Sequence, residues 1–236
     1  MKDIFCKGFD QDFVKQNLMG PNSLLIMSEL AQLLDLRPGM KVLDLGCGKG
    51  LTSFLLAKEY GVTVFATDLW VSATENLERT NQLGLADKVF PVQAEAHALP
   101  FAHGFFDVAV SVDAYHYFGT DENYLYYYLA PLVKKGGQLG IAVPGLTREF
   151  ENGVPEGLKP FWTPDMNSFH SETWWQDLWK RSGVLYDIKC RNFDCHDKAW
   201  EDWLNSGNPH AKDDANLLKN DESGYLATVS VVARRA

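Results

Sequence analysis

Cysteine is scarce in this chain: 236 residues hold four, Cys6, Cys47, Cys190 and Cys195, and no two have CxxC spacing. Without paired thiols neither a disulfide framework nor a zinc site of ordinary ligand spacing is expected, and the thiols suit a reducing compartment. Cys195 and His196 are adjacent, but side chains at successive positions diverge on helix and strand alike, so no metal is expected there. Long apolar runs are missing too. None approaches the roughly 18 residues a bilayer span needs, and no Lys- or Arg-flanked apolar leader opens the sequence. The expectation is a soluble, cytoplasmic protein with no membrane partner. Basic charge is also thin: the net charge is −9, and the densest basic pairs are Lys134-Lys135 and Arg234-Arg235. A nucleic-acid backbone would meet net repulsion, so no nucleic-acid partner is expected. Oligomeric state leaves no mark on the sequence.

What is present reads as one globular domain, with 46% hydrophobic and 22% charged residues. From residue 41 onward short β-branched or apolar runs alternate with amphipathic stretches, the mark of an α/β sheet with helices on both faces. Strands are expected at KVLDL (41–45), VTVFATD (62–68), KVFPVQA (88–94), FFDVAVSV (105–112) and QLGIAV (138–143). Pro91 places the third at an edge or a bulge, and the nearly continuous apolar character of the fourth places it centrally. Helices are expected over 52–60, closed by Gly61, over 71–83, closed by Gly84, and over 122–132, after which Gly136-Gly137 turns the chain. Residues 144–170, with four prolines and three glycines, show no period and suit a lid or binding surface. A helix over 172–182 carries Trp174, Trp175, Leu178 and Trp179 on one stripe, which is most simply packing. VLYDIKC (184–190) and YLATVSVVA (225–233) would close the sheet, with a Trp-containing helical stretch between them. Ahead of the sheet, a helix near 23–34 follows an aromatic segment with Phe5, Phe9 and Phe13.

Gly46, Gly48 and Gly50 stand where the first strand turns into its helix, which lets the backbone approach a ligand beside the helix N-terminus. A dinucleotide fingerprint would need glycine at position 51, where Leu51 stands, and a phosphate-cradling loop would need a GK[ST] ending, which Lys49-Gly50-Leu51 does not supply. Asp68 ends the second strand at the separation expected of a carboxylate that accepts from both ribose hydroxyls. Gly46, Asp68, Glu95 and Asp113 would all gather beyond the carboxyl ends of the strands. A nucleoside without pyrophosphate fits that pattern.

In consecutive order over residues 38–143 the sequence resembles the class I S-adenosylmethionine-dependent methyltransferases, of the small-molecule type. VLDLGCGKG (42–50) resembles their first motif, Thr67-Asp68 the ribose-binding acid, AEAHALPF (94–101) the adenine motif, FFDVAVSVDAYHYF (105–118) the fourth-strand segment that often ends in LHH, and LVKKGG (132–137) a segment usually written LKPGG. The resemblance implies a Rossmann-like, doubly wound, mostly parallel seven-stranded sheet with an antiparallel C-terminal strand. It implies S-adenosyl-L-methionine as cofactor and S-adenosyl-L-homocysteine as product. Asp44, Gly46, Cys47 and Gly48 would lie along the methionine part, Asp68 on the ribose diol, Leu69 over the adenine face, and Glu95 with the backbone of Ala96 at the adenine amino edge. The family more often has aspartate where Glu95 stands. One chain of four parts is expected: a helical lid (1–37), the cofactor-binding core (38–143), a substrate lid and helix (144–182) and closing strands (183–236).

The acceptor side follows from position. His116 and Tyr117 occupy the places of the two histidines in LHH, so His116 is the candidate base or acceptor-orienting group and Tyr117 its helper. Asp113 is the third candidate, binding the cofactor's methionine ammonium or an amine acceptor, or only capping a helix. Tyr115, Trp162 and His170 are candidate substrate contacts. Aromatic faces attract cations, so with the acidic charge a small amine is the expected acceptor. O- or C-methylation of a small aromatic metabolite, a thiol or metalloid acceptor served by Cys6 or Cys195, and a non-catalytic cofactor-binding protein stay open.

Overall fold

The computed structural model describes residues 8–236; Phe5 and Cys6 lie outside them. Two short helices, α1 (Gln11–Asn17) and α2 (Ser23–Ala31), precede an alternating series: β1 (Lys41–Leu45), α3 (Leu51–Tyr60), β2 (Thr63–Asp68), α4 (Ala73–Gln82), β3 (Val89–Gln93), β4 (Phe106–Val112) and β5 (Val133–Leu146). The chain ends with α5 (Glu172–Arg181), β6 (Leu185–Asn192), α6 (His196–Leu204), α7 (Ala211–Lys219) and β7 (Leu226–Arg235). The seven strands lie in the order β3-β2-β1-β4-β5-β7-β6. The first five are parallel, and β7 runs antiparallel between β5 and β6. This is the doubly wound sheet implied by the sequence, with β3 and its Pro91 at one edge and β4 in the middle. Among the described residues no helix is long and apolar enough to cross a membrane.

Side-chain alternation divides the core between the sheet's two faces. Val42, Val108 and Val110 pack with Phe54, Met27, Leu30 and Trp203 on one face. On the other, Leu43, Phe106 and Ala109 pack with Tyr115, Tyr124, Trp175 and Trp179. Strand β4 is therefore apolar on both sides because helices cover both. The tryptophan stripe of α5 is packing, as its period suggests: Trp175 and Trp179 are fully buried.

Three of the differences from the sequence reading have a local reason. Helix α4 starts at Ala73 because Ser72 and Glu75 close a capping box, the Ser72 hydroxyl accepting from the Glu75 N–H and the Glu75 carboxylate from the Ser72 N–H. The helix expected over 122–132 is a π-helical turn (Leu125–Leu129) followed by a 3₁₀ turn (Ala130–Leu132). Pro131 has no N–H to continue the ladder, and its ring would strike the carbonyl four residues back. Gly136-Gly137 lies within β5 as a bulge rather than ahead of it: Phe106 pairs with Val133, but Val108 already pairs with Gln138. A side chain at Gly137 would sit 2.7 Å from the Asp107 carbonyl oxygen, so glycine is required where the strand folds back on itself.

Candidate active site

At the carboxyl end of β1 the chain turns through Gly46 (φ 73°), Gly48 (φ 53°) and Gly50 (φ 88°) into α3. The loop is stitched to β2, with the N–H groups of Gly46 and Cys47 donating to the Thr67 carbonyl at 2.8 and 3.1 Å. A Cβ at Gly46 would stand 2.2 Å from the Cβ of Ala114. Gly46→Ala is therefore expected to lower stability by about 1–3 kcal/mol through left-handed strain and this clash. Chemical denaturation checks it, and an unchanged midpoint would refute it.

Asp68 organises the loop. One carboxylate oxygen accepts from the Gly48 N–H at 2.8 Å; the other accepts from Trp70 and Val71 N–H at 2.8 and 2.9 Å. Asp44 has a different position from the one the sequence reading gave it. It lies fully buried behind the loop, away from the cavity lining, where Thr52 and Ser53 hydroxyls donate to one oxygen at 2.6 Å each. Its other oxygen has no hydrogen-bond partner among the described residues, and burial pushes its pKa up to about 6 against the pull of those hydroxyls.

A cavity of about 210 Å³ opens beyond these strand ends. Gly46, Cys47, Gly48, Asp68, Leu69, Glu95, Ala96, Asp113 and Tyr117, all singled out from the sequence, line it. Burial pushes the Cys47 thiol pKa well up. Leu69 and Trp70 stand exposed at the rim, and Trp70 meets Tyr117 edge-on at 5.6 Å between centroids. Glu95 folds onto His97, accepting from its backbone N–H at 2.8 Å and pairing with its ring at 2.7 Å. The Tyr124 hydroxyl donates to the Ala96 carbonyl at 3.2 Å, fixing that turn.

The opposite wall comes from the segment expected as a helical lid (1–37), though none of the residues that form it was singled out from the sequence. Asn17, at the end of α1, and Met19, Gly20 and Pro21, between α1 and α2, cover the glycine loop and Asp113. A Cβ at Gly20 would stand 2.4 Å from an Asp113 carboxylate oxygen, and one at Gly48 would stand 3.0 Å from the Met19 sulfur. The segment is tied down by Arg79, which donates to Asn17 (2.8 Å) and to Asn76 (3.1 Å); Asn76 in turn donates to the Gly48 carbonyl (2.9 Å). Gly20-Pro21 announces a turn, but no local pattern says what that turn covers.

The acceptor-side residues separate. Asp113 follows β4 with φ 57°, its N–H donating to the Ala142 carbonyl at 2.8 Å. Its carboxylate faces the cavity with no hydrogen-bond donor among the described residues, and burial, aided by the charge of Asp214, pushes its pKa up to about 7. Tyr117 is half exposed on the cavity wall; its phenol is pushed up to about 12 by burial and by Asp113, Asp165 and Asp214. The other four do not line the cavity. Tyr115 is fully buried among Tyr124, Trp175 and Trp179. Trp162 donates to Asn167 at 3.0 Å and packs on Phe150 and Phe169. His170 stacks on Trp174 at 3.6 Å and pairs with Glu149.

His116 is 3% exposed, packs against Tyr117 and Phe169, and leaves Nδ1 without a hydrogen-bond partner among the described residues. Burial pushes its pKa down to about 3, so the ring is neutral at neutral pH and a weak base. Between about pH 6.5 and 3 the unfolded chain binds a proton at this position that the folded one does not, so stability is lost as pH falls through that window. His116→Gln is expected to lose less melting temperature than the wild type between about pH 7 and pH 5. Equal losses would remove this account of the buried ring.

Residues 42–137 match a family model described as a methyltransferase domain. Among curated relatives, methyltransferase GfsG of Streptomyces halstedii is 32% identical over 134 residues, covering 55% of this chain and 48% of the relative. The chain spans about half the length of that relative and less of others it matches. Geranyl diphosphate C-methyltransferase of Streptomyces coelicolor A3(2), solved with Mg²⁺, geranyl diphosphate and S-adenosyl-L-homocysteine, has a similar fold: the TM-score is 0.72 at 17% identity, over 91% of this chain and 78% of that one. Phosphoethanolamine N-methyltransferase 2 of Haemonchus contortus gives a TM-score of 0.71 at 17% identity, over 94% of this chain and 56% of that one.

Proposed function

We propose that this chain, whose residues 42–137 match a methyltransferase-domain family model, is a class I S-adenosylmethionine-dependent methyltransferase that methylates the nitrogen of a small amine and leaves S-adenosyl-L-homocysteine. The residues at the strand ends suit that cofactor. The glycine loop has no room for a side chain, and Asp68 is already oriented by three N–H groups with lone-pair capacity to spare. Gly46, Cys47 and Gly48 would hold its methionine part, Asp68 its ribose diol, and Leu69, Glu95 and Ala96 its adenine. When bound it supplies an electrophilic methyl on a sulfonium whose leaving group is a neutral thioether.

Little acid–base work is then left to the protein, and positioning dominates, worth roughly 7–11 kcal/mol in well-oriented reactions. An ammonium must still give up one proton to expose the lone pair that forms the new C–N bond. Asp113 is the group placed to hold that ammonium and take the proton, and this unpartnered cavity-facing carboxylate carries the proposal. Trp70 and Tyr117 offer aromatic faces at the mouth to a cation. Both neighbouring folds were solved with phosphate-bearing ligands, but among the described residues the cavity lining here includes a single cation, Lys49, whose ammonium donates to the Gln16 carbonyl at 2.9 Å. A phosphate-free small molecule therefore fits better, and the net charge of −9 speaks against nucleic acid.

The test is a panel of amine, hydroxyl and carbon acceptors offered with methyl-labelled cofactor. Label is expected on nitrogen; transfer confined to oxygen or carbon would overturn the amine assignment, and O- or C-methylation would replace it.

A further inference from the structure

Helix α4 carries Asn76 and Arg79 three residues apart, on the same side of the helix. Asn76 is buried, and Arg79 reaches past it to the end of α1. The guanidinium divides its fork between two amides rather than meeting a carboxylate: Nε donates to the Asn17 side-chain oxygen at 2.8 Å, and Nη1 to that of Asn76 at 3.1 Å. Each amide spends its own N–H on backbone. Asn17 donates to the Phe13 carbonyl at 2.7 Å, and Asn76 to the Gly48 carbonyl at 2.9 Å. Neither amide can flip without setting donor against donor and acceptor against acceptor, so the relay has one geometry.

The relay joins the two walls of the cavity. Gly48 belongs to the glycine loop, and Asn17 leads into Met19-Gly20-Pro21, where Met19 lies against Gly48 and Gly20 against Asp113. Behind the relay a second hollow, of about 470 Å³, lies between the end of α1 and α4; Asn17 and Lys49 line both spaces. Across that gap hydrogen bonds rather than packed side chains set the spacing, with the Lys49 ammonium on the Gln16 carbonyl at 2.9 Å as a second tie. The far end of the cover is held by α6, the Asn22 N–H donating to the Ala199 carbonyl at 2.9 Å. Freeing Asn17 would therefore let the cover swing from a fixed end.

We propose that Arg79 is a positioning residue for cofactor binding: it fixes the cover and the glycine loop against each other, and so sets how long the cofactor stays in the cavity between them. The inference rests on the cofactor reading above and assigns a role to a side chain that does not itself line that cavity. A ligand between two walls must order both of them, and a tie that orders them beforehand removes that cost from binding. Cutting the tie leaves the Asn17 and Asn76 oxygens without their charged donor, and the cover is then free to part from the loop while the ligand is bound.

The probe is S-adenosyl-L-homocysteine, its dissociation followed by surface plasmon resonance on the immobilised chain. Arg79→Met keeps most of the stem and removes both donors; dissociation is expected to be about tenfold faster than from wild type. Asn17→Ala breaks the same tie from the other end, should give a similar increase, and carries the test if Arg79→Met does not fold. The double variant should dissociate no more than about twofold faster than either single one, because residues that act through one relay are not additive. Hydrogen exchange supplies a readout that a general loss of stability would not move. In wild type the ligand should slow exchange at both Met19-Gly20 and Cys47-Gly48; in Arg79→Met the slowing should persist at Cys47-Gly48 and be lost at Met19-Gly20. Dissociation within about twofold of wild type in the single variants, or an additive increase of about a hundredfold in the double variant, overturns the inference and leaves the cofactor reading standing. Failure of wild type to bind S-adenosyl-L-homocysteine overturns both.

Discussion

Asp68→Ala is expected to weaken S-adenosyl-L-homocysteine binding by about a hundredfold or more, equivalent to about 3 kcal/mol. Two losses combine. The first is direct: a carboxylate proposed to accept from the ribose hydroxyls disappears, and hydrogen bonds to charged groups are worth about 1.5–3 kcal/mol. The second is organisational. Gly48, Trp70 and Val71 N–H groups all converge on this side chain, so its removal frees the glycine loop and the turn carrying Leu69 to drift, and binding must then restore their order. Asp68→Asn separates shape from charge. Its amide keeps one acceptor oxygen and turns the other position into a donor facing an N–H, so a loss of at least about tenfold is expected even though the volume is unchanged. Isothermal titration measures both variants. Affinity within about threefold of wild type for Asp68→Ala would mean that the crevice binds its nucleoside without this acid.

The cofactor half of the site was legible because its signals are local. Glycines at 46, 48 and 50 and an acid at 68 mark strand ends, and a largely parallel sheet with helices on both faces follows from alternation of β and α elements. Residues that act through packing were harder to place. Position after β4 put Tyr115, His116 and Tyr117 at the mouth together, but the turn that follows sends Tyr115 and His116 into the core and leaves only Tyr117 on the cavity wall. Asp44 sits in a motif and yet points behind the loop, toward Thr52 and Ser53. The N-terminal cover depends on contacts across much of the sequence, such as Asn22 with Asp202. No period or spacing in one chain encodes those. The excursion 144–170 reads as a lid from its composition, but Trp162 and His170 spend their polar atoms on Asn167 and Glu149 within it.

Asp113→Asn is expected to reduce kcat/KM for the amine acceptor by about 10²–10³-fold while leaving S-adenosyl-L-homocysteine affinity nearly unchanged. The side chain keeps its size but gives up both the charge that would hold an ammonium and the lone pair that would take its proton. The pairing of results matters, because a carboxylate bound to the cofactor's own methionine ammonium would produce the opposite pattern, with weakened product binding. In wild type, kcat/KM should rise with pH through about 7, where the partly buried Asp113 carboxyl ionises, and the variant should lose that limb. The sign for stability runs the other way. A carboxyl whose folded pKa lies above its unfolded value holds a proton more tightly when folded, so its contribution is present at low pH and is lost as pH rises from about 4 through about 7. The unliganded Asp113→Asn protein should therefore melt higher than wild type at about pH 8, and the difference should shrink toward about pH 4. A gain in stability that accompanies the loss of turnover is what a strained acceptor-binding group predicts. A variant that is less stable at every pH would show that Asp113 holds the fold together instead.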